Sequence, residues 1–113
     1  REFSQSVFLK ATVDGSMVGL VCGSVWDGTG RIRRLAVLPD YRGMGIESAL
    51  LAAIEGHLVR FGAERFEFFT GISDDDGHYL FTKRGYTPIK NEKLTEQLSV
   101  VHMHKDLNAV RSR

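Results

Sequence analysis

The apolar positions fall into short runs before they fall into a helical period. Ser6 to Val13, SVFLKATV, is rich in strand formers, and Met17 to Trp26, MVGLVCGSVW, is a second apolar run. Asp14-Gly15 lies between them, a hairpin signal because glycine tolerates the positive φ of a tight turn. Asp27 to Gly30, DGTG, makes the next turn, and RIRRLAVL from Arg31 reads as a third strand. Together they predict an antiparallel meander, which Pro39-Asp40 ends because proline cannot donate to a ladder.

From Gly45 to about Phe61 the spacing becomes helical: Ile46, Leu50, Ile54, Leu58 and Phe61 recur at intervals of three and four. Gly62 is placed to cap this helix. RFEFFTG, Arg65 to Gly71, predicts a fourth strand. SDDDG is a turn and a helix start, with acids at the favourable end of the dipole. A short helix from about Gly77 to Lys83 ends at Gly85. YTPI is a short strand, KNEKLTEQ a polar connection and LSVVHMHKDL an alternating last strand, followed by a frayed tail, NAVRSR.

The predicted order is β-β-β-α-β-α-β-β. A helix between the third and fourth strands permits parallel pairing by a right-handed crossover. The expectation is a mixed α/β sheet with helices on its faces.

Composition narrows the function classes. At 113 residues one domain is expected, 1–113, long enough to bury a core without staples. A net charge of +1 gives no bulk drive toward nucleic acid or membrane. No stretch approaches the roughly 18 apolar residues of a membrane span, and the N-terminus lacks a signal-peptide core. The chain begins at Arg1 rather than Met, as a trimmed or fragmentary chain would. A single cysteine, Cys22, excludes an internal disulfide and is compatible with a cytoplasmic protein. Lying in an apolar run, Cys22 reads as a core residue rather than a nucleophile. His102 and His104 share one face of a strand, but the histidines lack convincing ligand spacing and no metal is expected.

The chemistry lies between Tyr41 and Leu50, YRGMGIESAL. A helix N-terminus presents unpaired N–H groups and a partial positive charge, and therefore binds phosphate. RGMG, Arg42 to Gly45, puts two glycines and a guanidinium at the mouth of the helix beginning near Ile46. A short glycine-rich turn is by itself equally compatible with a plain strand-to-helix connection.

Its surroundings are more specific. Arg33 to Leu58, RRLAVLPDYRGMGIESALLAAIEGHL, closely resembles the core of the GNAT superfamily of acyl-CoA-dependent N-acyltransferases. Leu35, Val37 and Pro39 match the family's strand end, and Arg42 and Gly45 match its loop. LFTKRGY, Leu80 to Tyr86, resembles a second family landmark, a helix ending in a Gly-aromatic pair. The resemblance runs from the first strand to the last. It implies a GNAT-like mixed sheet flanked by helices. It also implies an acetyl-CoA-dependent N-acetyltransferase that passes an acyl group to the amine of a small molecule or a protein. A homodimer is among the expected assemblies, and no nucleic acid or membrane partner is expected.

By the same resemblance, the CoA pyrophosphate lies on backbone N–H groups of Arg42, Gly43, Met44, Gly45, Ile46, Glu47 and Ser48. The backbone of Leu35, Ala36 and Val37 binds the pantetheine arm and polarises the acyl carbonyl. Transfer needs a base for the ammonium and a proton for the leaving thiolate. Glu67, on the fourth strand, is the candidate base, facing either the cleft or solvent. Asp27 reads as a solvated turn residue, and Arg33 and Arg34 as a solvated sheet face or a site for an acidic group.

Three departures from the family pattern bear on activity. Glu47 stands where the family favours Gly or Ala. At about 100° per residue from Ile46, the residues Leu50, Phe61, Ile54, Leu58 and Leu51 span roughly 0° to 140°, and Glu47 falls near 100°. It either snorkels out at the helix end, pairs with Arg33, Arg34 or Arg42, or repels the phosphates. Phe81 stands where many members have a Tyr whose hydroxyl is a candidate acid; Tyr79 lies about 200° around the helix. Phe81 and Tyr86 read as core. Finally, only Arg1 to Gln5 precede the first strand, where the family usually has a strand and one or two helices that help build the acceptor site. The alternative function is a catalytically degenerate GNAT-fold domain serving ligand binding or protein interaction.

Overall fold

The structure is a computed structural model that describes residues 5–71, 80–96 and 99–107. It comprises two compact units, Arg1–Glu64 and Arg65–Arg113.

The first unit is the expected meander with the long helix laid on it. β1 (Gln5–Val13), β2 (Ser16–Trp26) and β3 (Thr29–Val37) pair antiparallel in sequence order. Along β2 the buried residues Gly19, Val21, Gly23 and Val25 alternate, with Val18 buried beside Gly19; Ile32 and Val37 of β3 join them in the core on which α1 (Ile46–Arg60) lies. Glycine is required beneath the helix by proximity. A Cβ on Gly23 would sit 2.9 Å from Leu58 Cδ1 and 3.1 Å from Ile54 Cγ1, and one on Gly19 3.1 Å from Leu50 Cδ1. The helix therefore rests on bare backbone of β2. Cys22, expected in the core, is half-buried, because it belongs to the other set of alternating residues, opposite Phe8 and Arg33.

The buried face of α1 is Leu50, Leu51, Ile54, Glu55 and Leu58, an arc of roughly 40° to 180° from Ile46 at 100° per residue. Phe61 is not part of it. The helix ends one residue earlier and Phe61, its C-cap, is exposed. The N–H of Gly62 then donates to the Val59 carbonyl and that of Ala63 to the Leu58 carbonyl, closing the helix as expected. Glu55, 7% exposed, takes the arc's far edge.

The second unit is built from β4 (Arg65–Gly71), β5 (Thr87–Lys93) and β6 (Ser99–Asp106), with β6 antiparallel to both of the others. Phe66 and Phe68 of β4 lie opposite Lys105 and Met103, and aromatic rings pack on this face. Phe81 stacks on Phe68 at 4.0 Å between centroids and meets Tyr86 edge-on at 5.0 Å. Residues 80–83 are helical; the earlier part of the predicted second helix, with Tyr79, lies outside the described residues. That helix closes with a Schellman motif: Tyr86 N–H donates to the Phe81 carbonyl and Gly85 N–H to that of Thr82. Gly85 takes the left-handed conformation the motif needs, φ +98°. The Gly-aromatic landmark thus has a physical meaning. The glycine turns the chain, and the aromatic after it packs on the ring five residues earlier.

β5 differs from its sequence reading. The strand starts at Thr87 and runs through Lys90, Asn91, Glu92 and Lys93, the residues expected to form a connection. All seven are exposed, so no alternation marks them. Backbone pairing to β6 makes the strand, and the register shift at Pro88/Lys90 suits a proline on a strand with a free edge.

No helix among the described residues is long and apolar enough to cross a membrane.

Candidate functional site

The site grows out of the end of β3. Pairing with β2 passes from Cys22 opposite Arg33 to Leu20 opposite Ala36, so that Arg34 and Leu35 share Val21 as partner. This is a β-bulge, and Arg34 has φ +60° within it. Nothing in the sequence marks this position, since an arginine carries no turn signal. A left-handed non-glycine residue costs about 1–2 kcal/mol. Arg34→Gly is therefore expected to raise stability by about 1 kcal/mol, read from the urea midpoint. An unchanged or lower midpoint would mean that the arginine side chain contributes more than its backbone costs.

Beyond the bulge Leu35 is half-buried, Ala36 exposed and Val37 buried. Leu38 N–H still donates to the Val18 carbonyl at 2.8 Å, and Pro39–Tyr41 then forms one 3-10 turn. Arg42 folds back: its Nε donates to the Val37 carbonyl at 3.2 Å, tying the loop to the strand end. Gly43 and Gly45 follow with φ of +78° and +86°. A Cβ on either would have nothing within 4 Å, so the space above both glycines is open. Met44 between them is exposed.

Gly45 is the N-cap of α1 and has no side chain to cap it. The first helical bond is Ala49 N–H to the Gly45 carbonyl, 3.0 Å. The N–H groups of Ile46, Glu47 and Ser48 have no backbone partner among the described residues. Open space, unshielded N–H groups and the positive end of a helix dipole make this loop a fitting cradle for an anion. The ten residues from Leu35 to Ser48 expected to contact a cofactor all lie on this one run of β3, turn and first helical turn.

Glu47 is half-buried, near the middle of the arc that α1 buries. It makes no ion pair with Arg33, Arg34 or Arg42: the first two are exposed, and Arg42 is engaged with the Val37 carbonyl.

The remaining candidates lie in the second unit or in turns. Glu67 is half-buried on β4, directly opposite His104 of β6. His102 lies on the same face, its Nε2 2.9 Å from Glu92 Oε1. Among the described residues no three or more His, Cys, Asp or Glu side chains group as a metal site. Asp27 is an exposed turn residue with φ +54°. Phe81, only 1% exposed, belongs to the aromatic core as expected.

The bulged strand, glycine turn and bare helix N-terminus belong to a fold shared with solved acetyltransferase structures. An acetyltransferase from Bacillus cereus superposes with a TM-score of 0.81 at 24% identity, covering 92% of this chain and 74% of its own. The ribosomal-protein-S18-alanine N-acetyltransferase from Escherichia coli gives 0.81 at 18% identity, covering 91% and 70%. A GNAT family acetyltransferase from Elizabethkingia anophelis, solved with acetyl-CoA bound, gives 0.80 at 19% identity, covering 91% and 77%. The model of the acetyltransferase (GNAT) family matches residues 1–86. The chain belongs to that family.

Proposed function

We propose that this chain is an acetyl-CoA-dependent N-acetyltransferase that passes an acyl group from CoA to an amine. The observation that carries the reading is the open, doubly glycine-lined loop in front of the bare α1 N-terminus. Gly43, Met44, Gly45, Ile46, Glu47 and Ser48 would hold the pyrophosphate through backbone N–H groups; the N–H of Arg42, expected among them, already donates to the Pro39 carbonyl, so Arg42 would act through its guanidinium. The backbone of Leu35, Ala36 and Val37 would hold the arm that carries the acyl group. Acetyl-CoA in the Elizabethkingia anophelis neighbour supports the choice of co-substrate.

In the reaction the amine nitrogen attacks the acyl carbon and the carbon–sulfur bond breaks. One proton leaves the amine and one is gained by the thiolate. Glu67, half-buried beside His104, is the candidate for the first proton. Phe81 has no hydroxyl for the second, which leaves water or the acceptor to supply it. The acceptor is a small-molecule or protein amine. The second reading, a domain that binds ligand or partner without turnover, is favoured by that buried phenyl ring.

Calorimetric titration with acetyl-CoA and CoA, followed by thiol release with a panel of amines, tests the reading. Binding with thiol release supports the enzyme, and binding without release supports the second reading. Absence of binding removes both the co-substrate and the site. Arg42→Glu reverses the charge at the cradle and unties the loop from Val37. We expect it to weaken CoA binding by about tenfold or more, and unchanged affinity would place the site elsewhere.

A further inference from the structure

We propose that Glu47 limits the affinity of the cradle for the phosphates of CoA, and is thereby a specificity-determining residue of the site. The inference rests on the reading of the loop as a CoA cradle. Glu47 is the second residue of α1, and its own N–H is one of the three that open onto the cradle. Its direction around the helix falls between those of Leu50 and Leu51, the centre of the buried arc, yet it is only half-buried. A carboxylate there is neither released to solvent nor covered by the core.

None of the nearby arginines in the sequence is ion-paired with it. Arg42 donates its Nε to the Val37 carbonyl, and Arg33 and Arg34 are exposed without an ion pair to Glu47. What remains to stabilise the carboxylate is the dipole of the helix N-terminus, whose N–H groups it does not hydrogen-bond. Those are the groups that bind phosphate. Acid and phosphate both draw on the positive end of this dipole and repel each other. At the dielectric of a partly solvated site that repulsion corresponds to about tenfold in affinity. The charge that helps the empty helix form thus opposes the bound state, and the cradle favours ligands with less charge at this end.

The test compares wild type, Glu47→Gln and Glu47→Ala by calorimetric titration with CoA and with pantetheine, which lacks the pyrophosphate, at low and moderate salt. Gln removes the charge and keeps the size; Ala removes both. We expect CoA to bind about tenfold more tightly to both variants at low salt. The gap should narrow as salt rises, and pantetheine affinity should not change. CoA binding equal to or weaker than wild type in both variants overturns the inference and leaves the cradle in place. An equal gain for pantetheine also overturns it, since the effect would then not be phosphate repulsion. Failure of all three proteins to bind CoA overturns the cradle reading along with the inference. Melting curves of the three proteins confirm that each is folded.

Discussion

Phe81→Ala is expected to destabilise the second unit by about 3–5 kcal/mol, a large part of the stability of a small domain. The ring is 1% exposed, stacked on Phe68 at 4.0 Å and met edge-on by Tyr86 at 5.0 Å. Removing it empties a space that rigid aromatic neighbours cannot close. It also removes the apolar contact across the helix cap, where Tyr86 and Phe81 sit at the two ends of one backbone hydrogen bond. Phe81→Leu keeps most of the volume and should cost about 1 kcal/mol. Urea unfolding followed by circular dichroism measures both. A loss below about 1 kcal/mol for alanine would mean that the cavity collapses and that the aromatic cluster is not the core of this unit.

How much of this was legible depended on what each residue had to signal. The meander was, because Asp14-Gly15 and the Asp27 to Gly30 turn carry explicit turn chemistry. So was the glycine turn before α1, whose glycines stand immediately ahead of a helical period, and so were both helix ends, where Gly62 and Gly85 follow the last turn. The second half of β5 was not. Lys90 to Lys93 bury nothing, and their strand conformation comes from pairing with β6, a partner remote in sequence. The bulge at Arg34 was hidden for a related reason, since the register of β2 against β3 imposes it. The helix wheel put Glu47 in the sector of Leu50, Ile54 and Leu58, where it is half-buried like its neighbours Ile46 and Ser48, but assumed that the period continues to Phe61. Termination at Arg60 took Phe61 out of the buried face and left Glu55 at its edge. Periodicity reports which way a residue points, and not where a helix stops.

Gly45→Ala is expected to weaken acetyl-CoA binding by about ten- to a hundredfold, the loss of one or two charge-assisted hydrogen bonds from backbone N–H to phosphate. Gly45 has φ +86° and caps α1. An alanine there takes this conformation at a cost of about 1 kcal/mol, or rotates the peptide and turns the N–H groups of the first turn away. Its methyl group would enter the open space that the cradle offers a ligand. Strain and function can be separated within the same unit. Gly15 has nearly the same φ, +83°, and equally open surroundings, but lies in the hairpin between β1 and β2. Gly15→Ala should therefore cost about the same stability as Gly45→Ala and leave acetyl-CoA binding unchanged. Melting curves and calorimetric titrations of the two variants and wild type make the comparison. Equal affinity in all three would mean that the anion does not bind at this helix N-terminus. Equal loss in both variants would mean that affinity follows the stability of the unit rather than the shape of the cradle. Loss in Gly45→Ala alone is the result expected of a loop whose glycine is needed both for its backbone conformation and for the room it leaves.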